Sequence, residues 1–136
     1  VITYDGAKIT ACLAEHGSYF DQQVEGVGWE VNGRMLAALG IHDWTGSNVW
    51  AHIAVSLPAR EWIIAAAHFV FVTLGVNRVS MWVQADNRRC LRLMHVMGAN
   101  LDYVMRQGHA GADVHLYVLW RGTGIHQRLI NKLSKD

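Results

Sequence analysis

The chain has little proline, little cysteine and little charge. Its one proline is Pro58, and its two cysteines, Cys12 and Cys90, lie far apart in the sequence. That spacing fits neither a disulfide framework nor a thiolate metal site, and suits two reduced, partly buried thiols in a cytosolic protein. Only 17% of the residues are charged, and 12 basic against 11 acidic side chains leave a net charge of +1. Binding to nucleic acid needs a clustered basic face, so no nucleic-acid partner is expected. Nor does a charged disordered tail dominate the chain. Long apolar runs are also missing. The longest, residues 62–72, is interrupted by His68, whereas a bilayer span takes about 20 residues; no membrane partner is expected. The first residues lack the basic segment and apolar run of a secretory signal. No internal repeat or low-complexity stretch is visible.

What is present is a core. Apolar residues make up 51% of the 136, and this length suits one domain of about 100–200 residues. We expect that domain over residues 1–121. Residues 122–136 form a tail, either a basic amphipathic helix with Ile125, Leu129, Ile130 and Leu133 on one side, or a disordered segment. Residues 6–16 read as a short amphipathic helix, with Ile9 and Leu13 at helical spacing and Gly17 as its stop. Three strands follow at 24–31, 34–44 and 49–56, the first weakened by two glycines. Asn32-Gly33 is a two-residue hairpin signal, and residues 45–48 form a second turn, so the three strands make an antiparallel meander.

Pro58 suits the first turn of a helix. Residues 59–74 are apolar nearly all round, as in a helix buried on several sides, and Gly75 ends it. Residues 78–85 alternate as a strand through Val79, Met81 and Val83. Asn87 is an N-cap candidate for a helix that turns Leu91, Met94 and Met97 inward and closes at Gly98. Strands at 101–107 and 114–121 complete the chain. A strand–helix–strand passage over 49–85 requires a crossover and a parallel pair. The expected class is α+β: a mixed, mostly antiparallel sheet with a central β-α-β crossover, flanked by helices.

Leu74-Gly75-Val76-Asn77-Arg78-Val79, then Val83-Gln84-Ala85-Asp86-Asn87, then Arg92-Leu93 and Met97-Gly98 follow a recognisable order. It runs from a helix ending in Leu-Gly, through a strand and an Asn opening the next helix, to a helix stop. With Met105-Arg106 and residues 113–119 downstream, this order resembles the second half of the signature of the GNAT superfamily, the acetyl-CoA-dependent N-acetyltransferases. His52-Ile53-Ala54 and Arg60-Glu61-Trp62 resemble small phage-type members. The resemblance covers residues 24–121. It departs from the family pattern at three points. Ser56-Leu57-Pro58-Ala59-Arg60-Glu61 stands where the family carries a glycine-rich loop, Met94 where it often carries a tyrosine acid, and Ala99 where it carries an aromatic.

The resemblance implies acetyl-CoA as co-substrate and direct attack by a primary amine of a protein, peptide or small molecule. It implies a cytoplasmic location, or a host cytoplasm or virion if phage-encoded. It also implies that the strands at 49–56 and 78–85 splay at their C-terminal ends. The pantetheine arm would then pair with the exposed edge as an added strand. Ile53, Ala54 and Val55 would give the backbone contacts, with one N–H near the thioester oxygen. The helix start near Pro58 offers unpaired amides and a positive dipole end to the pyrophosphate. In place of glycines, small Ala59 and cationic Arg60 would serve there, between Leu57 and Glu61; Arg pairs with phosphate in bidentate fashion. Asn87 matches the family's Asn that contacts the cofactor arm. Arg92, with Arg88 and Arg89, suits the adenosine phosphate. The plainer alternatives stay open: a solvated helix start for Arg60, a helix cap for Asn87, a solvated helix face for the other arginines.

An attacking amine must be neutral, and a free lysine has a pKa of about 10.4, so a base or water chain is needed. His52 shares a strand face with Ala54 and Ser56 and titrates near neutrality. It is the candidate base, against the alternative of a core histidine; His42 and Asp43 are held in reserve. Ser56, Tyr103 or water would protonate the departing thiolate, unless Ser56 merely caps the helix. His109, Asp113 and His115 straddle a loop and a strand without a fourth ligand, so no metal site is assigned. Trp44, Trp50 and Trp82 are candidates to line a substrate cleft. The tail is a candidate for partner docking or for homodimer formation. The competing hypotheses are a catalytically inactive GNAT-fold binding or structural module, and an unrelated mixed α/β binding domain.

Overall fold

The computed structural model describes residues 1–57, 59–124, 127–128 and 131–132. The strands are β1 (Ile2–Thr3), β2 (Glu25–Val31), β3 (Arg34–His42), β4 (Asn48–Val55), β5 (Arg78–Gln84), β6 (Asn100–His109) and β7 (Ala112–Trp120). They form one sheet in the order β1-β2-β3-β4-β5-β7-β6. The helices are α1 (Gly6–Glu15), α2 (Arg60–His68) and α3 (Arg88–Met97). The pair β4–β5 is parallel and every other neighbouring pair is antiparallel. This is the mixed α+β sheet with a central crossover that the sequence predicts. Two features lie outside that expectation: the short edge strand β1, and the placement of β7 between β5 and β6.

Local chemistry accounts for most of the boundaries. Asn32 and Gly33 both take positive φ, 52° and 77°, as a type I′ hairpin turn requires. Strand β3 stops at His42, short of the expected residue 44, because Asp43 turns into the left-handed region at φ 52°. Asp5 caps α1 by accepting from the amides of Ala7 and Lys8. Asn87 caps α3 by accepting from the Cys90 amide, and Gly98 closes that helix at φ 80°.

Helices cover both faces of the sheet. On one face, Ile9, Cys12 and Leu13 of α1 pack with Val24, Ala38 and Ala54. On the other, Trp62, Ala66, Val70 and Met94 pack with Val27, Leu39, Val49, Val79 and Met81. Glycines that weaken the strand signal in the sequence sit where neighbours come closest. A Cβ at Gly26 would fall 1.8 Å from the Leu39 carbonyl oxygen, and one at Gly40 would fall 2.5 Å from Leu13 Cδ1.

The helix expected over 59–74 is α-helical only through His68. Residues Phe69–Thr73 form a π-helical turn, in which the Leu74 amide donates to the Phe69 carbonyl at 2.9 Å. A distant cation meets the end of this turn. Arg121, just past β7, donates from Nε to the Val76 carbonyl at 3.1 Å and from Nη2 to the Phe71 carbonyl. A cation at a helix C-terminus satisfies its open carbonyls and opposes its dipole. Pro58, expected in the first helical turn, lies outside the described residues, as do Ile125, Leu129, Ile130 and Leu133, which carry the expectation for the tail.

The indole of Trp62, only 2% exposed, donates to the Val27 carbonyl at 2.9 Å and so ties α2 to the sheet. Replacing it by phenylalanine removes that hydrogen bond, at a net cost of about 0.5–1.5 kcal/mol. The Trp62→Phe variant is expected to lower the urea midpoint with an unchanged denaturant slope.

Candidate active site

Strands β4 and β5 pair over only three positions, Asn48↔Arg78, Val49↔Val79 and Trp50↔Ser80. Beyond Trp50, β4 stays on β3 as far as Val55↔Ala37, while β5 stays on β7 as far as Gln84↔Val114. The two strands therefore part, and the β5-facing backbone edge of residues 51–55 has no strand partner.

A cavity of about 810 Å³ opens along that edge. Ile53, Ala54, Val55 and Ser56 form one wall, and Arg60 and Ile63 of α2 a second. Asn87, Arg89, Cys90, Arg92, Leu93 and Val96 form the third. Its floor is apolar and its exposed groups are cationic. No carboxylate lines it, and Arg60, Arg89 and Arg92 enter no ion pair among the described residues. Three unneutralised guanidiniums around an apolar trough suit a ligand with several anionic groups and a long uncharged arm.

Seven of the expected site residues line this cavity: Ile53, Ala54, Val55, Ser56, Arg60, Asn87 and Arg92. Leu57, Ala59 and Glu61 do not. The amides of Ser56 and Leu57 both donate to the Leu36 carbonyl, at 2.9 and 3.2 Å, which closes the strand and turns Leu57 outward. Ala59 is the N-cap residue of α2, and Glu61 is exposed in its first turn. No side chain caps α2, so Ser56 is not a helix cap and its hydroxyl is left to the cavity.

His52 belongs to a second cavity of about 350 Å³. The two cavities share His16, Ile53, Asn87 and Cys90. The second is polar but again without carboxylates, its polar groups including His16, Ser18, His52, Gln84 and His109. Trp82 lines it and stacks on Trp50, with ring centroids 5.9 Å apart and planes within 12°. Trp44 lines neither cavity.

His52 Nε2 lies 2.9 Å from His42 Nε2, and His42 Nδ1 lies 2.8 Å from Asp43 Oδ2. The two residues held in reserve by the sequence are thus in line with the first choice. Phe20 stands edge-on to the His52 ring at 4.9 Å. Burial, and secondarily the charge of His42, push the His52 pKa below the ordinary histidine value, which keeps the ring neutral near pH 7.

The other candidates are not brought in. Tyr103 is exposed on β6 and lines neither cavity, while Met94, fully buried, lines the second. Asp113 accepts from the Gln107 amide, and among the described residues no cluster of His, Cys, Asp or Glu could hold a metal ion. Cys90 and His16 are residues the sequence reading missed. Cys90 is three positions after the Asn87 cap and so shares its helix face, a usable signal. Burial raises its pKa, so it is a neutral thiol. His16, at the C-cap of α1, donates Nδ1–H to the Cys12 carbonyl at 2.9 Å; only the fold reveals its place.

No protein-family model matches the sequence, and no curated protein matches it. The fold is that of the GNAT acetyltransferases. It is similar to yncA of Salmonella typhimurium, solved with its cofactor acetyl-CoA, at 14% identity, covering 92% of this chain and 95% of that one with a TM-score of 0.67. The spermidine/spermine N-acetyltransferase SpeG of Vibrio cholerae aligns at 12% identity over 84% of this chain and 73% of that one, with a TM-score of 0.61. Two further acetyltransferase structures, each 18% identical, align over 71% and 80% of this chain with TM-scores of 0.57 and 0.66; the chain spans 61% and 66% of their length.

The lowered His52 pKa has a consequence for stability. Below about pH 6.5, the ordinary histidine value, the unfolded chain binds a proton that folded His52 does not yet take. Stability is therefore fully present above that pH and falls as the pH drops toward the folded pKa. The urea midpoint is expected to fall between about pH 7.5 and pH 5 by less in His52→Gln than in the parent.

Proposed function

We propose that the chain is an N-acetyltransferase that binds acetyl-CoA in the larger cavity and a primary amine in the smaller. One observation carries the reading. The parted edge of β4 separates a cation-rimmed apolar trough from a polar cavity holding a neutral imidazole, and the two meet at Ile53, Asn87 and Cys90.

The donor's diphosphate and ribose phosphate match Arg60, Arg89 and Arg92. Its amide-bearing arm matches the open edge at Ile53, Ala54 and Val55. Acetyl-CoA, when bound, supplies an activated acetyl thioester. The chain orients it along β4 and brings the amine to it from the other side, which converts an encounter of two solutes into a single bound geometry. His52 takes the proton that the ammonium form must lose before attack. The hydroxyl of Ser56, in the larger cavity, returns a proton to the departing sulfur. Because no carboxylate lines the second cavity, a polycation such as spermidine finds no counter-charge there. The acceptor is better read as a neutral or anionic molecule, peptide or protein bearing one amine. The free thiols of Cys12 and Cys90 suit the cytoplasm. The apolar residues Leu101, Tyr103, Val104 and Met105, exposed on edge strand β6, suit a homodimer. The phage-type likeness rests on the sequence motifs alone.

The second reading, an inactive GNAT-fold binding module, draws on Met94 in the tyrosine's place and on the missing loop glycines. Calorimetry with acetyl-CoA and a thiol-release assay separate the two. Micromolar binding is expected, weakened about tenfold or more by Arg60→Glu and by Arg92→Glu. Thiol release is expected with glucosamine or an Nα-blocked lysine amide, and not with spermidine. Binding without release for any of them favours the inactive module, and no binding at millimolar acetyl-CoA refutes the acetyltransferase reading.

A further inference from the structure

The contact between His42 and His52 sets a proton inventory. Two ring nitrogens 2.9 Å apart can hold one proton between them. His42 meets the Asp43 carboxylate through Nδ1, and a carboxylate accepts, so that nitrogen carries a hydrogen. In a neutral His42 the other nitrogen, Nε2, then has only a lone pair. The shared proton belongs to His52 Nε2, and His52 Nδ1 is left as the free base nitrogen. That atom has no hydrogen-bond partner among the described residues and is not sealed from solvent, in contrast to His115 Nδ1, which is buried and unpaired. His52 lines the smaller cavity.

We infer that Asp43 and His42 are positioning residues that hold His52 in the Nε2–H tautomer, with Nδ1 directed to the acceptor amine, and that share the positive charge His52 acquires. The inference rests on the acetyl-transfer reading for the amine, but its geometry stands apart from the donor site. When Nδ1 takes a proton from an ammonium group, the shared proton can pass from His52 Nε2 to His42 Nε2. The charge then lies on the ring against Asp43, and the ammonium becomes a neutral amine with its lone pair free. No proton is lost and no oxidant is needed.

Three features support a built device. Adjacent residues of a strand point to opposite faces, yet Asp43 reaches its neighbour's ring because it sits at φ 52°, a conformation Asp tolerates better than most residues. Phe20 packs edge-on against the His52 ring and also meets His42, with centroids at 4.9 and 6.1 Å, which restrains ring rotation. Burial disfavours a cation on His52 alone, whereas Asp43 is exposed and His42 about one-third exposed, so the shared charge is better solvated at their end. The other titratable groups near His52 are His16 from the end of α1, Cys90 from α3 and His109 from β6. None is a carboxylate, and β5 contributes none.

The test has one arm that does not need turnover. Nitrogen-15 correlation spectra of the whole chain, assigned with His42→Phe and His52→Gln variants, are expected to show His52 as the Nε2–H tautomer and His42 as the Nδ1–H tautomer. In Asp43→Asn and His42→Phe the His52 preference is lost or mixed. The second arm uses acetyl-CoA with whichever amine of the panel is turned over. His42→Phe and Asp43→Asn are expected to lower kcat by about 10–100-fold, since a misoriented base loses most of its contribution. The KM for acetyl-CoA stays within twofold, and the acid limb of the pH profile moves. His42→Gln, whose carbonyl can still accept from Nε2–H, recovers part of the rate. An Nδ1–H tautomer for His52, or His42→Phe with unchanged kcat while His52→Gln is inactive, overturns the inference. A fully active His52→Gln overturns its catalytic part and the assigned base, but not the tautomer result. If no amine is turned over, the spectra alone decide.

Discussion

A polar knot at the base of the one parallel strand pair governs the architecture of both cavities. Asn48 Oδ1 accepts from Ser80 Oγ at 2.7 Å and from Arg78 Nε at 3.0 Å, while Arg78 Nη2 donates to Ser80 Oγ at 3.1 Å. Ser80 is fully buried, so its hydroxyl would be costly if unpaired. Arg78 also lies over the Trp120 ring at 5.5 Å, a further restraint on the same cation. The knot holds β4 and β5 together where they begin. Past it, each strand follows its other neighbour, and the sheet's twist carries them apart. An open backbone edge at the centre of a sheet is ordinarily a liability. Here α2 and α3 wall it off, and it becomes the floor of a trough.

The same parted edge divides the chemistry. The larger cavity collects Arg60 from the start of α2 and Arg89 and Arg92 from α3, because both helices open toward the gap. The other side collects imidazoles, from the ends of α1, β3 and β6 and from the middle of β4. Without carboxylates in either cavity, the guanidiniums stay free for an anion, and His52 meets the Asp43 carboxylate only through His42. Burial then keeps His52 neutral. Cations on one side and a neutral base on the other are what the proposed transfer from a polyanionic donor to an amine requires.

Much of the fold is legible locally. Asn32-Gly33, Asn87 and Gly98 act through their own backbone preferences, so their turns and caps fall where the sequence puts them. Other features depend on distant partners and leave no local trace. The end of the π-helical turn is met by Arg121, which reaches back to Phe71 and Val76. The position of β7 between β5 and β6 is a matter of long-range pairing. At the site, alternation along residues 49–56 places His52 on a face with Ala54 and Ser56, but it does not give the register. The pairing Gly40↔His52 and His42↔Trp50 sets the two imidazoles on a diagonal. That diagonal is within reach of long side chains, and only β3–β4 pairing creates it. Ser56 shows the converse: a residue type that favours helix caps leaves α2 uncapped, its amide held by Leu36 at the end of β4.

The departures from the family pattern do not all weigh the same way. Under the acetyl-transfer reading, the missing glycines and the methionine at position 94 concern how the donor is cradled and how its sulfur is protonated. Charge on Arg60, Arg89 and Arg92 can replace close backbone approach, and a hydroxyl or water can replace a phenol. The acceptor side has no such shortfall. A domain that only bound its ligand would gain nothing from burying His52 against Phe20, which costs desolvation free energy, or from an aspartate in the left-handed region aimed at a second imidazole. Those costs are intelligible together if the return is a ring nitrogen kept unprotonated and correctly turned beside a polar cavity.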